Sequence, residues 1–145
     1  MIALIQRVSN ASVTVADQEI ARIGRGLLAL IGVHRDDEAR DIARLAERIL
    51  GYRVFPDAED RMNRSVEDIG GGLLLVPQFT LTADTRKGTR ASFTKGANPD
   101  TASAFFDELV SVCRTRLECV ETGRFGADMQ VALVNDGPVT FWLES

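Results

Sequence analysis

The sequence predicts an α+β protein: one domain over residues 1–145, with a largely antiparallel β-sheet, a barrel-like core and two main α-helices. Three observations predict it. Two stretches carry apolar residues at helical spacing, and most of the remaining apolar residues fall in short runs bounded by glycine and turn residues, as strands do. At 145 residues, with no repeat, linker or low-complexity tract, the chain suits one compact core.

Taken in order, residues 2–8 and 12–16 alternate like an antiparallel pair around Ser9-Asn10, and Ile20 to Ile23 continues it past a turn at Asp17-Gln18. Gly26 to Val33 is a continuous apolar run bounded by glycines, as in a buried strand. Asp36, Asp37 and Glu38 place negative charge in the first turn of a helix, where the helix dipole favours it. Ile42, Leu45, Ala46, Ile49 and Leu50 follow at helical spacing, and Gly51 ends the pattern. Gly70-Gly71-Gly72 lacks a following Gly-Lys-Ser/Thr and enters the apolar run Leu73 to Val76, so it reads as a turn and not a phosphate loop. Asn98 is a good N-cap and Pro99 a good first residue for the second helix. Its stripe of Ala102, Phe105, Phe106, Leu109, Val110 and Cys113 is a core face. Met129 to Val134 and Val139 to Leu143 read as two strands flanking a turn at Asn135-Asp136-Gly137-Pro138.

Composition excludes several classes. Hydrophobic residues make up 45% and charged residues 26%, which is ordinary for a globular protein. No apolar run is long enough to span a membrane. The N-terminus has neither a basic leader nor a small-residue cleavage site, so a cytoplasmic location is the expectation. Cys113 and Cys119 have no partner at metal-ligand spacing and read as two buried thiols. A net charge of −4 argues against nonspecific coating of nucleic acid. One basic patch remains: Arg86, Lys87, Arg90 and Lys95 lie in a stretch without acids. On charge alone, a solvated loop and a phosphate-contacting loop are equally good readings.

Few residues can carry chemistry. The single histidine, His34, reads as structural, since nothing else supports a Ser-His-Asp or Cys-His arrangement. No metal-ligand cluster is present and no cofactor is expected. An enzyme with this inventory works through backbone donors, hydroxyls, amides and the substrate itself, which limits it to reactive substrates. Two segments stand out. In Leu75-Val76-Pro77-Gln78-Phe79-Thr80-Leu81, a proline closes an apolar strand, as at a strand end or bulge. The other is Asn135-Asp136-Gly137-Pro138-Val139-Thr140, by itself a turn.

Gln-Phe-Thr-Leu at 78–81 and Asn-Asp-Gly-Pro-Val-Thr at 135–140 resemble the two signature motifs of the D-aminoacyl-tRNA deacylases. Ile2 to Val8, Gly51 to Phe55, Ser92 to Gly96, Thr122 to Phe125 and Met129 to Val131 resemble the same family, in the same order and spacing. The resemblance implies hydrolysis of the ester between an amino acid and the 3′-terminal ribose of tRNA, in a homodimer with a cross-subunit active site. It implies that Phe79 and Thr80 donate backbone N–H groups to the oxyanion, that Gln78 positions the ester and that the neighbouring ribose hydroxyl assists water. Pro77 and Met129 would line the pocket. The Thr80 hydroxyl has no base beside it in sequence, which favours a positioning role. Gly137-Pro138 would be a cis dipeptide that enters the partner's site and rejects L-amino acids, while glycyl-tRNA passes. Arg86, Lys87, Arg90 and Lys95 would contact tRNA. The family usually has Ser where this chain has Pro77. A related branch with altered stereochemical preference also has proline there, followed by Gln-Ala. Phe79 therefore points to the D-specific type. The alternative reading is a noncatalytic dimer that binds tRNA or another nucleic acid on the same fold.

Overall fold

The computed structural model describes residues 1–145. In chain order its elements are β1 (Ile2–Val15), β2 (Gln18–Ile23), β3 (Gly26–Gly32), α1 (Ala39–Gly51), β4 (Phe55–Pro56) and β5 (Met62–Arg64). There follow β6 (Gly72–Pro77), a 3-10 turn (Phe79–Thr82), α2 (Pro99–Arg114), β7 (Val120–Thr122) and β8 (Gln130–Glu144). No helix is long and apolar enough to cross a membrane.

The long strand β1 organises the sheet. One edge pairs antiparallel with β8 along nearly its whole length. The other edge pairs antiparallel with β3 through residues 2–8 and with β2 through residues 11–15. Beyond β3, strands β6 and β7 add in parallel, giving the order β2-β1-β3-β6-β7, with β8 also on β1. The sheet is largely antiparallel and curls until β2 meets β6 and β7, a nearly closed barrel.

Period-two alternation sends successive side chains to opposite faces. Ala3, Ile5, Leu27, Ala29, Leu73 and Leu75 pack outward under α1 and α2, against Leu45, Ile49, Phe106 and Leu109. Val8, Val13, Leu28, Leu74 and Val76 fill the inside of the curl with Ala21 and Ile23. Strands β3 and β6 are thus buried on both faces, which explains their unbroken apolar runs. The glycines at their starts are places of contact. A Cβ on Gly26 would lie 1.9 Å from the Gly72 carbonyl oxygen, and one on Gly72 would lie 2.9 Å from Ile23 Cβ.

Several sequence expectations change. There is no hairpin at Ser9-Asn10: β1 runs through it with a register irregularity against β8. A tight two-residue hairpin turn favours positive φ, and that occurs at Ala16 (48°) and Asp17 (63°), which close the β1–β2 hairpin one residue before the expected turn. The Asn135–Pro138 segment does not reverse the chain either. Pairing steps from Gln6↔Thr140 to Val8↔Asn135, so β8 uses five residues where β1 uses two and bulges outward while continuing in the same direction. Asp36 to Glu38 precede α1. Glu38 is its N-cap, donating its backbone N–H to Asp41 Oδ2 at 2.8 Å, while Asp37 accepts from the Met1 ammonium at 2.6 Å. Cys113 is buried, and burial pushes its thiol up to about 12, whereas Cys119 is exposed on the short segment entering β7.

The glycine contact yields a stability test. Gly26→Ala forces β3 from β6 and should cost ~1–3 kcal/mol, as overpacking does. Gly24→Ala, with nothing within 4 Å of the added Cβ, serves as the control. Urea unfolding should show a lower midpoint for the first only; equal midpoints would contradict the contact.

Candidate active site

The site begins where β6 runs out of backbone donors. Pro77 is the last residue of the strand and has no N–H to give to the ladder. The next amide, Gln78 N–H, still donates to the Ile31 carbonyl at 2.7 Å, and the chain then winds into the 3-10 turn. Within the turn Leu81 N–H donates to the Gln78 carbonyl (3.2 Å) and Ala83 N–H to that of Thr80 (3.1 Å). The first amides of a helical turn have no acceptor inside it. Those of Phe79 and Thr80 have no acceptor elsewhere in the chain. The Gln78 carboxamide N–H donates to the Thr80 hydroxyl.

A cavity of about 510 Å³ opens beside this turn, with Val76, Pro77, Gln78 and Phe79 on one side and Pro99, Ala102, Phe125, Met129 and Val131 on the others. A recess of about 80 Å³ adjoins it, lined further by Ile31, Val33, Thr82, Phe93 and Phe106. The rings of Phe79 and Phe93 lie 5.2 Å apart, tilted by 51°. Arg124 N–H points at Met129 Sδ at 3.3 Å, and a Cβ on Gly123 would sit 2.8 Å from that sulfur, so Gly123 makes room for the methionine. No titratable side chain lines either space. No group of three or more His, Cys, Asp or Glu residues is arranged to hold a metal ion. What the arrangement offers a ligand is a shaped apolar surface, two backbone donors, an amide and a hydroxyl.

Pro77, Gln78, Phe79 and Met129 therefore meet at one cavity; Thr80, the next residue of the turn, is exposed and does not line it. Gly137 and Pro138 do not line it; both are exposed on the outward bulge of β8. The Gly137–Pro138 peptide is cis, and Gly137 has φ of +142°, a conformation L side chains rarely adopt. The bulge is pinned at both ends. Arg7 Nε donates to the Asp136 carbonyl at 2.9 Å and its Nη1 to that of Val54 at 2.6 Å. Asn135 accepts from Val139 N–H at 2.8 Å and donates to Thr140 Oγ1 at 2.9 Å.

The basic loop stands beside the cavity without lining it. Its neck is closed by two backbone bonds between Asp84 and Ser92, of 2.8 and 3.0 Å. Asp84 takes Arg86 (Nε–Oδ1 2.9 Å) and Lys95 (3.4 Å), and the Arg86 hydrogen bond above all holds its carboxyl well below the usual carboxylate range. Lys87 and Arg90 make no ion pair. His34 is also outside the cavity. Its backbone N–H donates to Asp37 Oδ2 at 2.6 Å, and it forms a β-bridge with Gly96.

Sequence reasoning left Arg7, Phe93, Phe125 and Thr82 without roles. Arg7, Phe93 and Phe125 lie in family-like segments, which was the available signal. Arg7 sits in a strand that alternates apolar and polar, where an arginine reads as solvated; only the fold shows the carbonyls of Val54 and Asp136 converging on it.

Backbone amides at the start of a turn beside a carboxamide and a cavity free of acids and bases suit chemistry on an already reactive carbonyl. The model of the D-Tyr-tRNA(Tyr) deacylase family matches residues 4–144. A D-aminoacyl-tRNA deacylase of Alkalilimnicola ehrlichii is 65% identical over 145 residues, covering 100% of this chain and 97% of that protein. One from Klebsiella pneumoniae is 60% identical over 144 residues, covering 99% of each. Among solved structures, the c-Myc DNA Unwinding Element Binding Protein matches with a TM-score of 0.96 at 38% identity, covering 100% of this chain and 99% of that one. A probable eukaryotic D-amino acid tRNA deacylase shares the fold, with a TM-score of 0.87 at 18% identity over 99% of this chain and 98% of that one. The chain belongs to the D-Tyr-tRNA(Tyr) deacylase family.

Proposed function

We propose that the protein hydrolyses the ester of D-aminoacyl-tRNA, and of glycyl-tRNA, to free tRNA and amino acid, as a cytoplasmic homodimer built from one deacylase domain over residues 1–145. The observation that carries this reading is a turn whose first amides, those of Phe79 and Thr80, have no acceptor inside it, beside a cavity that Gln78 and Phe79 line and that has no titratable lining. The aminoacyl carbonyl oxygen sits between the two N–H groups. As water adds to the carbonyl carbon, charge grows on that oxygen and the donors strengthen their hold; losing one such donor typically costs on the order of 10²–10³ in rate. The ribose 2′-hydroxyl lies next to the scissile bond and orients the water. The new carbon–oxygen bond forms, the bond to the ribose 3′-oxygen breaks, and the water's proton passes to that oxygen. Gln78 positions the ester. The Thr80 hydroxyl, which takes a hydrogen bond from Gln78, holds that carboxamide in place and needs no base.

Chirality selection needs a second copy. Gly137-Pro138 points away from its own cavity, on a bulge made rigid by Arg7 and Asn135. In a twofold dimer the bulge enters the partner's cavity. There its carbonyls accept from the substrate's amino group, and the dipeptide occupies the space an L side chain would need. Glycine has no side chain to exclude. Strand β8 carries two half-exposed apolar side chains that such a contact could cover, Val134 at 53% and Trp142 at 48%. Lys87 and Arg90, free of ion pairs, are the cations available to tRNA phosphates.

The second reading, a noncatalytic nucleic-acid-binding dimer, is favoured by the likeness to the c-Myc DNA Unwinding Element Binding Protein. Incubating pure protein with D-tyrosyl-tRNA and L-tyrosyl-tRNA separates the two. The proposal expects release of D-tyrosine only; retained tRNA binding without turnover would favour the alternative.

Two outcomes follow from the geometry. Replacing Lys87 and Arg90 with Ala should raise KM for charged tRNA and flatten its salt dependence with kcat kept. Replacing Arg86 and Lys95, which share an ion pair with Asp84, should do less. Equal effects from the two pairs would place tRNA elsewhere. Second, Gly137→Ala distorts the bulge, because φ is positive and the new Cβ would lie 2.6 Å from Val139 Cγ2. Gly137→Ala and Gln78→Ala should each be inactive as homodimers. Their heterodimer has one site with both defects and one with neither, and should recover up to about half the wild-type activity per dimer. A verified heterodimer as inactive as its parents would refute the cross-subunit site.

A further inference from the structure

We propose that Thr82 is a positioning residue for the reaction: its buried hydroxyl holds the Phe79–Thr80 peptide so that the Thr80 N–H faces the substrate carbonyl. Thr82 is 2% exposed, one of only three buried polar or charged residues in the chain. Its Oγ1 donates to the Phe79 carbonyl at 2.8 Å. That carbonyl and the Thr80 N–H belong to the same peptide unit, which is planar and trans, so the two groups point in opposite directions. Holding the carbonyl toward Thr82 therefore fixes the N–H on the opposite side of the peptide, away from Thr82, as a donor free for substrate requires.

The neighbours of Thr82 are shaped for this contact. A Cβ on Gly96 would lie 2.8 Å from Thr82 Oγ1, and one on Gly32 would lie 3.2 Å from Thr82 Cγ2 and 3.1 Å from Leu81 Cβ. Side chains at either position would push Thr82 and the turn outward. Gly96 is held in turn by its backbone bond to the Phe93 carbonyl (3.1 Å) and by its bridge to His34. The hydroxyl is therefore seated between the end of β3 and the segment after the basic loop, and it links both to the donor pair. A donor aimed before the substrate arrives costs no reorganisation during reaction, and this is the source of its catalytic worth.

The inference rests on the reading of the Phe79 and Thr80 amides as oxyanion donors, and the test separates the two. Wild type, Thr82→Val, Thr82→Ala and Thr82→Ser are compared on D-tyrosyl-tRNA, with thermal unfolding confirming that each is folded. Thr82→Val, which keeps the volume and loses the hydroxyl, should lower kcat about tenfold with KM within about twofold, since the donor is loosened and not deleted. Thr82→Ala should show the same split. Thr82→Ser, which keeps the hydroxyl, should return kcat to within about threefold of wild type. Active wild type with Val and Ala variants at full kcat would overturn the clamp and leave the donor reading standing. A Ser variant as slow as the Val variant would overturn it too, because packing and not the hydroxyl would then matter. If wild-type protein leaves D-tyrosyl-tRNA intact, the donor reading falls and the clamp falls with it.

Discussion

The site depends on the point where an interior parallel strand stops pairing. β6 lies between β3 and β7, buried on both faces, and its last residue is a proline that cannot donate. Buried amides rarely go unpaired. Here the chain pairs Gln78 with Ile31 and tightens beside the cavity into a 3-10 turn whose first two N–H groups have no acceptor inside it. The turn is fixed because the sheet holds its start, through Gln78 and Ile31, and the Asp84–Ser92 bridge holds the chain just after its end.

This arrangement matches a substrate that brings its own reactivity. An amino-acid ester of a ribose with a vicinal hydroxyl needs charge stabilisation and orientation more than it needs a strong base. A cavity without acids, bases or thiols supplies both and offers nothing that titrates near neutral pH. Cys113, the buried thiol, is held protonated by the helix packing around it and lies among core residues, away from the turn. The same economy explains the split between turn and bulge. In the proposed reaction the turn polarises the carbonyl, and the Gly137-Pro138 bulge, pinned by Arg7 and Asn135, selects the amino acid.

Legibility followed physical locality. Asn98-Pro99, the α2 stripe and the glycine-bounded runs of β3 and β6 were readable because caps, periodicity and burial act within a few residues. The two misplaced turns, at Ser9-Asn10 and Asn135–Pro138, failed for the opposite reason. Both segments have turn composition, yet pairing along the full length of β1 and β8 outweighs local preference and leaves irregularities in continuous strands. At the site, Pro77 was the only local oddity. The roles assigned to Gln78, Phe79 and Thr80 came from family resemblance. The roles of Arg7 and Thr82 were invisible because their partners are carbonyls, which carry no sequence signal: Arg7 meets those of Val54 and Asp136, and Thr82 meets that of Phe79 in its own turn. The basic loop was legible as charge, but its pairing with Asp84, just outside the acid-free stretch, was not.

The central claim is that two backbone amides of one subunit hold the carbonyl while the other subunit checks the amino acid. A crystal structure with a nonhydrolysable D-tyrosylamino analogue of the 3′-terminal adenosine tests both halves at once. The account predicts a twofold dimer, the analogue's carbonyl oxygen within ~3 Å of the Phe79 and Thr80 nitrogens, and the partner's Gly137-Pro138 carbonyls against the analogue's amino group. A carbonyl oxygen held by side chains away from those two amides, or a Gly137-Pro138 bulge left in solvent, would contradict it.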